Sequence, residues 1–451
     1  SWSDAAWLAA GVGADAVAAD AATRLIHLAA EDLADEEAAM TWARHARAWL
    51  GRGAPDPLAE ARLSSNIGIV HSTRGRSKEA ETHFRRAYEA KRTLLGEDHP
   101  EVAGALENLG LSLAGQGRLD EALVAQRTAA EITERVLGPN HPDLGLSLSN
   151  LGGVLDEKGQ HDEAEALYER AVALHEAALG PEHPDVARDL DNLGNTLRAQ
   201  ARFADAKPLH ERALRISRAA FGEVHPQVAW AWGNLGVVSV ELEQYEDALR
   251  YYDKALEITL AVYGEDHEAV GATHSNRSVP LTELKRMSEA QTEAELGVSM
   301  QMSLLGREHP ATASSINALG YVLFYMDDKP GALARHLEAL SILEATLGKD
   351  HPETAATLLD VASVYGELSQ PDEALAHVER ALRILDDNPV SPAFLAAAIW
   401  IQAQAQWDAG GDRRAARDKA ARARTLYAEH GETFAEDLAE IDAWLRDHSP
   451  A

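Results

Sequence analysis

Apolar side chains recur along the chain at the three- and four-residue spacing of amphipathic helices. In the stretch that begins at Pro100, one helical face carries four of them: Val102, Leu106, Leu109 and Leu113. Proline suits the first position of a helix, and glycine suits the stop at Gly138. This pattern predicts one helix from Pro100 to about Leu113, a turn at 116–118 and a second helix from about Leu119 to Leu137.

The pattern repeats every 42 residues. His-Pro dipeptides begin at positions 99, 141, 183, 225, 309 and 351, and His267-Glu268 fills the one gap. A glycine stands three positions before each of these histidines. Alanines keep the same register at 80, 122, 164, 206, 248, 290, 332, 374 and 416, and a second small residue follows each of them seven positions later. A fixed period of this length indicates stacked pairs of helices.

Small side chains at fixed positions, such as Gly110, Ala122 and Ala129, mark the places where two helices cross closely. One helical hairpin cannot bury both of its faces, so neighbouring hairpins must stack. The sequence therefore predicts an all-α fold, a right-handed α-α superhelix of about nine to ten hairpins whose first helices line a concave groove.

Composition narrows the classes of partner. The net charge of −31 disfavours binding to nucleic acid and to anionic membranes, because the acidic surface would repel them. We therefore expect a protein partner. The chain has no cysteine, and no apolar run is as long as a membrane span requires. We predict a cytoplasmic protein with no cofactor, no metal and no catalytic residue.

Three motifs repeat in order: G-x-x-H-P-x-x-A, then N-L-G, then a G-x-x-x-E-A helix start. Clear copies are 138–151 followed by 159–171, and 180–193 followed by a helix to Ala213. This pattern resembles the tetratricopeptide repeats of the kinesin light chain type. The resemblance implies a solenoid that binds proteins or peptides, and it covers roughly residues 58–431.

Two segments outside the clearest repeats, 36–46 and 58–68, look like the helical tails of myxobacterial Hanks-type serine/threonine kinases, and the closing stretch 441–445 is similar to the end of such tails. No Gly-rich kinase loop, His-Arg-Asp or Asp-Phe-Gly motif is present. The resemblance implies a regulatory tail whose catalytic domain would lie before Ser1, so we expect this chain to be part of a longer one.

The sequence predicts three regions. Residues 1–57 would form one or more degenerate helical hairpins, 58–431 the repeat array and 432–451 a capping helix. One repeat departs from the pattern, because Arg277 replaces the usual Leu and Pro280 falls inside the first helix. An interior proline predicts a kink there.

A ladder of asparagines occupies one register of successive first helices: Asn66, Asn108, Asn150, Asn192, Asn234 and Asn276. Carboxamides offer a donor and an acceptor, which suits them to hold an extended peptide backbone. The alternative is that each asparagine bonds a neighbouring helix and fixes the stacking. Both interpretations stay open at this point.

Other residues share the groove register. Arg188, Asn195, Arg198 and Trp230 should project near Asn192 and Asn234, and Tyr321 and Tyr325 stand on the equivalent face two repeats on. The arginines could pair with carboxylates of a ligand, and the aromatic rings could anchor it or pack between repeats.

The repeated histidines are too far apart to share a metal ion, so we expect each to cap the helix that follows it.

The sequence thus predicts a non-catalytic scaffold that binds an extended protein segment in the groove. Two alternatives remain, the regulatory tail of a kinase and a self-assembly module. The oligomeric state is not predicted.

Overall fold

The computed structural model describes residues 2–32, 36–387, 391–429 and 434–448. In these ranges the chain forms 22 α-helices and no strand. Their bounds are α1 Trp2–Gly11, α2 Asp15–His27, α3 Glu36–Leu50, α4 Pro57–Ser72, α5 Ser77–Leu95, α6 Pro100–Ala114, α7 Leu119–Leu137, α8 Pro142–Glu157, α9 His161–Leu179, α10 Pro184–Ala199, α11 Phe203–Phe221, α12 Pro226–Glu241, α13 Tyr245–Tyr263, α14 Glu268–Glu283, α15 Met287–Leu305, α16 Pro310–Tyr325, α17 Lys329–Thr346, α18 Pro352–Glu367, α19 Pro371–Asp387, α20 Pro392–Asp408, α21 Arg413–Ala428 and α22 Ala435–Asp447. A π-helical turn, Leu28–Asp32, extends α2.

The helices pair into antiparallel hairpins, from α2 with α3 to α20 with α21. Within the described residues this makes ten hairpins, and the predicted all-α fold of stacked helical hairpins is confirmed. The predicted helices of the repeat at 100–137 are also confirmed, since α6 is Pro100–Ala114 and α7 is Leu119–Leu137.

The chain divides into two compact units. Unit 1, Ser1–Pro181, contains α1 to α9, and unit 2, Glu182–Ala451, contains α10 to α22. The predicted limits 1–57, 58–431 and 432–451 stay a prediction, and the limit at 431/432 lies outside the described residues.

Every repeat histidine caps the helix that follows it. In each case the ring nitrogen Nδ1 accepts a hydrogen bond from the backbone N–H two residues on, over 3.1 to 3.2 Å. The capping residues are His99, His141, His183, His225, His267, His309 and His351. This bond satisfies one of the free N–H groups at a helix start, and the expectation that these histidines cap helices is confirmed.

The glycines of the same motif end the second helices. Gly138, for example, has a φ of 94°, in the left-handed region where residues other than glycine are strained. The turn between α7 and α8 therefore requires glycine, and the same holds for the equivalent positions from Gly96 to Gly348.

The close helix crossings follow one rule. The register alanine of each second helix is at most 1% exposed, from Ala80 to Ala416. In six hairpins a glycine of the first helix faces a large side chain of the second helix at less than the normal contact distance for an added Cβ. These pairs are Gly68 with Phe84, Gly110 with Gln126, Gly152 with Tyr168, Gly194 with His210, Gly236 with Tyr252 and Gly320 with His336.

The hairpin of α14 and α15 reverses this arrangement. Ser278 replaces the glycine, and the residue at the facing position is Ala294 instead of a large side chain. The helix α14 continues through Pro280 and is 16 residues long, as α12 is. The kink expected there therefore does not interrupt the helix. Arg277 replaces a core leucine and pairs with Glu293 of α15 at 3.0 Å.

The last helix is fixed by the basic helix before it. Arg424 of α21 pairs with Asp442 of α22 over 2.6 Å, and Arg417 donates to the carbonyl oxygens of Leu445 and His448 at the end of α22. A cation at a helix C-terminus is also favoured by the helix dipole. Arg417 and Arg424 therefore serve the attachment of α22.

Candidate functional site

The predicted binding residues stand on the first helices of the hairpins. Within each unit successive first helices contact one another, as α4 contacts α6 and α10 contacts α12. One stripe of each first helix keeps exposed surface, and in α10 it carries Arg188, Asn192 and Asn195 at four- and three-residue spacing. We call the exposed stripes of α10, α12, α14 and α16 the first-helix face of unit 2.

The asparagines of unit 1 do not share one environment. Asn66 donates from Nδ2 to the backbone oxygen of Thr23 in α2 over 2.6 Å, so its carboxamide joins two neighbouring hairpins. Asn108 and Asn150 are half-buried, and their side chains make no hydrogen bond with another described residue. The stacking interpretation therefore accounts for Asn66, and the environments of the other two leave both interpretations open.

The asparagines of unit 2 become more exposed along the chain. Asn192 and Asn234 are half-buried, whereas Asn276 is exposed. The Nδ2 atom of Asn234 is shielded from solvent and has no hydrogen-bond partner among the described residues. A shielded donor without a partner is costly, so turning this carboxamide outward to a ligand acceptor would be stabilising.

The two predicted arginines differ. Arg188 is exposed and pairs with Asp185 over 2.9 Å, with the buried Asp189 at 3.7 Å, so its charge is already partly balanced. Arg198 is half-buried, and its positive charge lowers the pKa of the Glu241 carboxyl, which burial raises more strongly. Its Nε atom is shielded and has no partner among the described residues. Arg198 of α10 thus lies near Glu241 of α12.

Two tryptophans of α12 lie on different faces. Trp230 is 63% exposed and stands one turn before Asn234 on the first-helix face of unit 2. Trp232 is half-buried and stacks on Tyr251 of α13, with ring centroids 5.4 Å apart. Trp232 therefore packs inside its hairpin, and Trp230 offers a free indole face.

The tyrosines of α16 are in contact. The rings of Tyr321 and Tyr325 have centroids 4.8 Å apart. The hydroxyl of Tyr321 donates to Oε1 of Glu283 in α14 over 2.5 Å, and burial together with this carboxylate raises the pKa of Tyr321. Tyr321 thus links two hairpins, while Tyr325 is 42% exposed and lies near Lys285, whose Nζ is 5.4 Å from its ring.

Two further observations concern metal ions and membranes. No group of three or more His, Cys, Asp and Glu side chains in the described ranges is arranged to hold a metal ion. No described helix combines the length and apolarity that crossing a membrane requires.

One cluster was not predicted from the sequence. Trp7 of α1 meets Trp42, His45 and Trp49 of α3, with ring centroids 4.9 to 6.0 Å from that of Trp7. These residues precede the clear 42-residue repeats, so the register could not indicate them. The signal that could have found them was the spacing of Trp42, His45 and Trp49, which places three rings on one face of a helix.

Comparison with known proteins assigns the repeats. The family model described as Tetratricopeptide repeat matches residues 57–125, 101–177, 154–219, 189–260, 227–295 and 322–387. A search of curated proteins finds no significant match to the sequence.

Solved structures are similar to this chain at low sequence identity, and two of the three described next share its fold. A Rap protein complexed with competence and sporulation factor has a TM-score of 0.61 at 14% identity, covering 82% of this chain and 97% of its own. The apo form of the quorum sensor NprR from B. thuringiensis has a TM-score of 0.57 at 13% identity, covering 84% and 99%. Kinesin light chain TPR-like repeats from Podosopora anserina have a TM-score of 0.40 at 20% identity, covering 47% and 100%.

Proposed function

We propose a function from the fact that this chain belongs to the tetratricopeptide repeat family. It is a non-catalytic scaffold whose first-helix face in unit 2 binds an extended protein segment. Repeats of this family typically bind proteins instead of catalysing reactions. The observation that carries the proposal is the pairing of Trp230, 63% exposed, with the unpartnered, shielded Nδ2 of Asn234 one turn away.

The chemistry of these two side chains suits one kind of ligand. An exposed indole stabilises an apolar or cationic side chain by burying area and presenting its negative face. The carboxamide donor beside it, once turned toward the surface, bonds a backbone carbonyl of any sequence. An extended segment presents both groups in alternation, because its side chains and carbonyls project at regular spacing.

Neighbouring residues extend this surface. Asn192 and Asn195 stand on α10, which contacts α12, and Asn276 stands on α14, which also contacts α12. Tyr325 of α16 adds a second exposed ring. The net charge of −31 favours a neutral or basic segment over an acidic one.

The test is capture of partners on the full chain, followed by titration of the captured segment as a synthetic peptide. The variant Trp230→Ala/Asn234→Ala removes the anchor and the donor. Val124→Ala is the matched control, since Val124 is 68% exposed on the second helix α7. We expect the double variant to bind at least about tenfold more weakly and the control to bind as the parent does.

Equal binding by parent and double variant, with the circular dichroism of both unchanged, would refute this site. Two other predictions have no specific observation in their favour and stay predictions. They are the regulatory tail of a serine/threonine kinase and the self-assembly module, the second of which light scattering of the purified chain would test.

A further inference from the structure

The aromatic cluster of unit 1 borders an open depression. Its volume is about 370 Å³, and its lining residues are Trp7, Glu37, Ala38, Thr41, Trp42 and His45. Trp7 comes from α1 and the others from α3, so the depression exists only where these two helices meet. A folded tertiary site, not a single amphipathic helix, forms this surface.

The rings meet at angles and do not lie in one plane. Trp7 and Trp42 are tilted by 49° with centroids 6.0 Å apart, and His45 lies against both, 4.9 Å from Trp7 and 5.7 Å from Trp42. Trp49 packs edge-on behind Trp7 and is only 4% exposed, so it supports the cluster from within. Trp7 keeps 49% of its surface exposed, and Trp42 is half-buried. Trp7, Trp42 and His45 together give the depression aromatic walls.

Aromatic walls select the sign of the ligand charge. The face of an indole carries negative potential and attracts cations within about 6 Å of its centroid. Trp2, on the same helix as Trp7, already holds a cation in this way, since the guanidinium of Arg24 lies 5.0 Å from its ring centroid. Glu37 adds a carboxylate at the rim, where it is exposed.

We infer that this depression binds a quaternary ammonium group, either on a methylated lysine side chain or on a small free molecule. Methylated ammonium is the fitting cation because it loses little hydration when it enters an aromatic notch, whereas a primary ammonium keeps its water. The site belongs to unit 1 and shares no residue with the surface proposed to bind a protein segment.

One further charged group of α3, Arg44, contacts a residue that lines the depression. Arg44 donates from Nη2 to the hydroxyl of Thr41 over 2.8 Å, and Thr41 is part of the lining. This guanidinium opposes a bound cation, while Glu37 favours it. Removing the charge of Glu37 and removing that of Arg44 should therefore change the affinity for a cation in opposite directions. A purely apolar site would not show this difference.

The experiment titrates the full chain with two probes, tetramethylammonium chloride and a short peptide that contains trimethyllysine. Binding is followed by calorimetry and by the indole N–H signals in NMR spectra. A peptide with a neutral tert-butyl group in place of the trimethylammonium group has the same shape without the charge. We expect the charged peptide to bind at least about fivefold more tightly than the neutral one.

Variants then locate the binding. Trp7→Phe should weaken it about fivefold, because phenylalanine attracts cations less than tryptophan does. Glu37→Gln should weaken it about threefold and Arg44→Gln should strengthen it about twofold, both less so at high salt. Val124→Ala, at a 68% exposed position of α7 outside both proposed sites, should leave it unchanged. If Trp7→Phe disturbs α1, the exposed positions 37 and 44 still decide the matter.

Binding of tetramethylammonium and the peptide supports the site, and binding of the peptide alone supports it with a protein side chain as the source. Equal affinity for the charged and neutral peptides overturns the inference. Absence of saturable binding by both probes, in a chain whose spectra show it folded, overturns it as well.

Discussion

Gly194 and His210 share one space where α10 and α11 cross: a Cβ atom on residue 194 would lie 2.6 Å from Nε2 of His210. The imidazole is fully buried, and its Nδ1 lies 2.8 Å from Oδ1 of Asp191 on the same first helix as Gly194. His210 therefore has little freedom to move away from an added methyl group. The contact makes glycine a requirement at position 194.

We predict that Gly194→Ala destabilises the chain by about 1–3 kcal/mol, the usual cost of overpacking a core. In the background of His210→Ala the same change should cost almost nothing, because the combination then resembles Ser278 facing Ala294. Urea denaturation of the four proteins in this cycle measures the coupling. Gly233→Ala is the control, since no atom lies within 4 Å of its added Cβ, and we expect no loss of stability there.

Additive effects of the two changes would contradict this account of the crossing. The same test applies to each of the other glycine pairs, and the hairpin of α14 and α15 explains why glycine is not universal. A small residue is needed on only one side of the crossing, and Ala294 provides it there.

The repeat register predicted much of this architecture. Helix bounds, histidine caps and glycine stops depend on interactions within a few residues, so one copy of the motif determines them. Partners across hairpins depend on side chains 40 or so residues apart, and the register does not specify them. Asn66, for instance, bonds Thr23 of α2, a helix that has none of the repeat motifs.

The same limit applies to the candidate sites. Trp230 and Asn234 are four residues apart, so the sequence alone can predict that they share one helical face. It could not show that the Nδ2 atom of Asn234 lacks a partner, which depends on what packs around it. Trp7 and Trp42 come together only through the packing of α1 on α3, and no periodic signal links the two helices.

Asn66 and Asn276 should respond differently to the same substitution. Asn66→Ala removes the 2.6 Å bond to Thr23, and we expect a loss of about 1 kcal/mol. Asn276→Ala removes an exposed carboxamide without a bond to another described residue, so the midpoint of thermal unfolding should not change. Calorimetry of both variants checks this. Equal losses would mean that Asn276 also fixes the stacking.

Arg277 forms the centre of an ionic cluster in place of a core leucine. It pairs with Glu293 at 3.0 Å and with Asp253 at 2.9 Å, and His274 also contacts Glu293 at 2.7 Å. Arg277→Leu leaves these carboxylates without their main partner in a site where Arg277 is only 19% exposed. We expect a loss of about 1–3 kcal/mol in urea denaturation.

The double variant Arg277→Leu/Glu293→Leu should recover most of that stability, since Leu193 and Leu209 occupy the equivalent positions of an earlier repeat. Arg286→Ala is the control, because its pair with Glu289 is exposed and should contribute nothing measurable. A double variant less stable than Arg277→Leu alone would show that the cluster is not interchangeable with an apolar core.

Asp360 of α18 should destabilise the chain when it is ionised. It accepts a hydrogen bond from Nδ2 of Asn317 over 2.8 Å, and burial raises the pKa of its carboxyl above the usual 3.8. Because the folded-state pKa is raised, the stability that protonated Asp360 contributes is complete below pH 3.8. It is lost as the pH rises through the folded-state pKa. Asp360→Asn should therefore be more stable than the parent at pH 7, by about 1 kcal/mol, and no more stable near pH 3. Urea midpoints at the two pH values decide this, and an equal difference at both would contradict it.

His336 of α17 completes the same network and has the opposite pH dependence. Its Nδ1 lies 2.6 Å from Oδ1 of Asn317, the ring is 3% exposed, and burial lowers the pKa of the imidazole below 6.5. As the pH falls, the imidazole of His336 binds its proton in the unfolded chain before it does so in the folded one. The stability that neutral His336 contributes is therefore complete above pH 6.5 and declines between 6.5 and the lower folded-state pKa. His336→Gln, which copies Gln126 at the equivalent position of α7, should reduce this decline, while His27→Gln at an exposed site should leave it unchanged. Urea midpoints measured from pH 7.5 to 5 test this, and a His336→Gln variant with the parent's slope would place the acid sensitivity elsewhere.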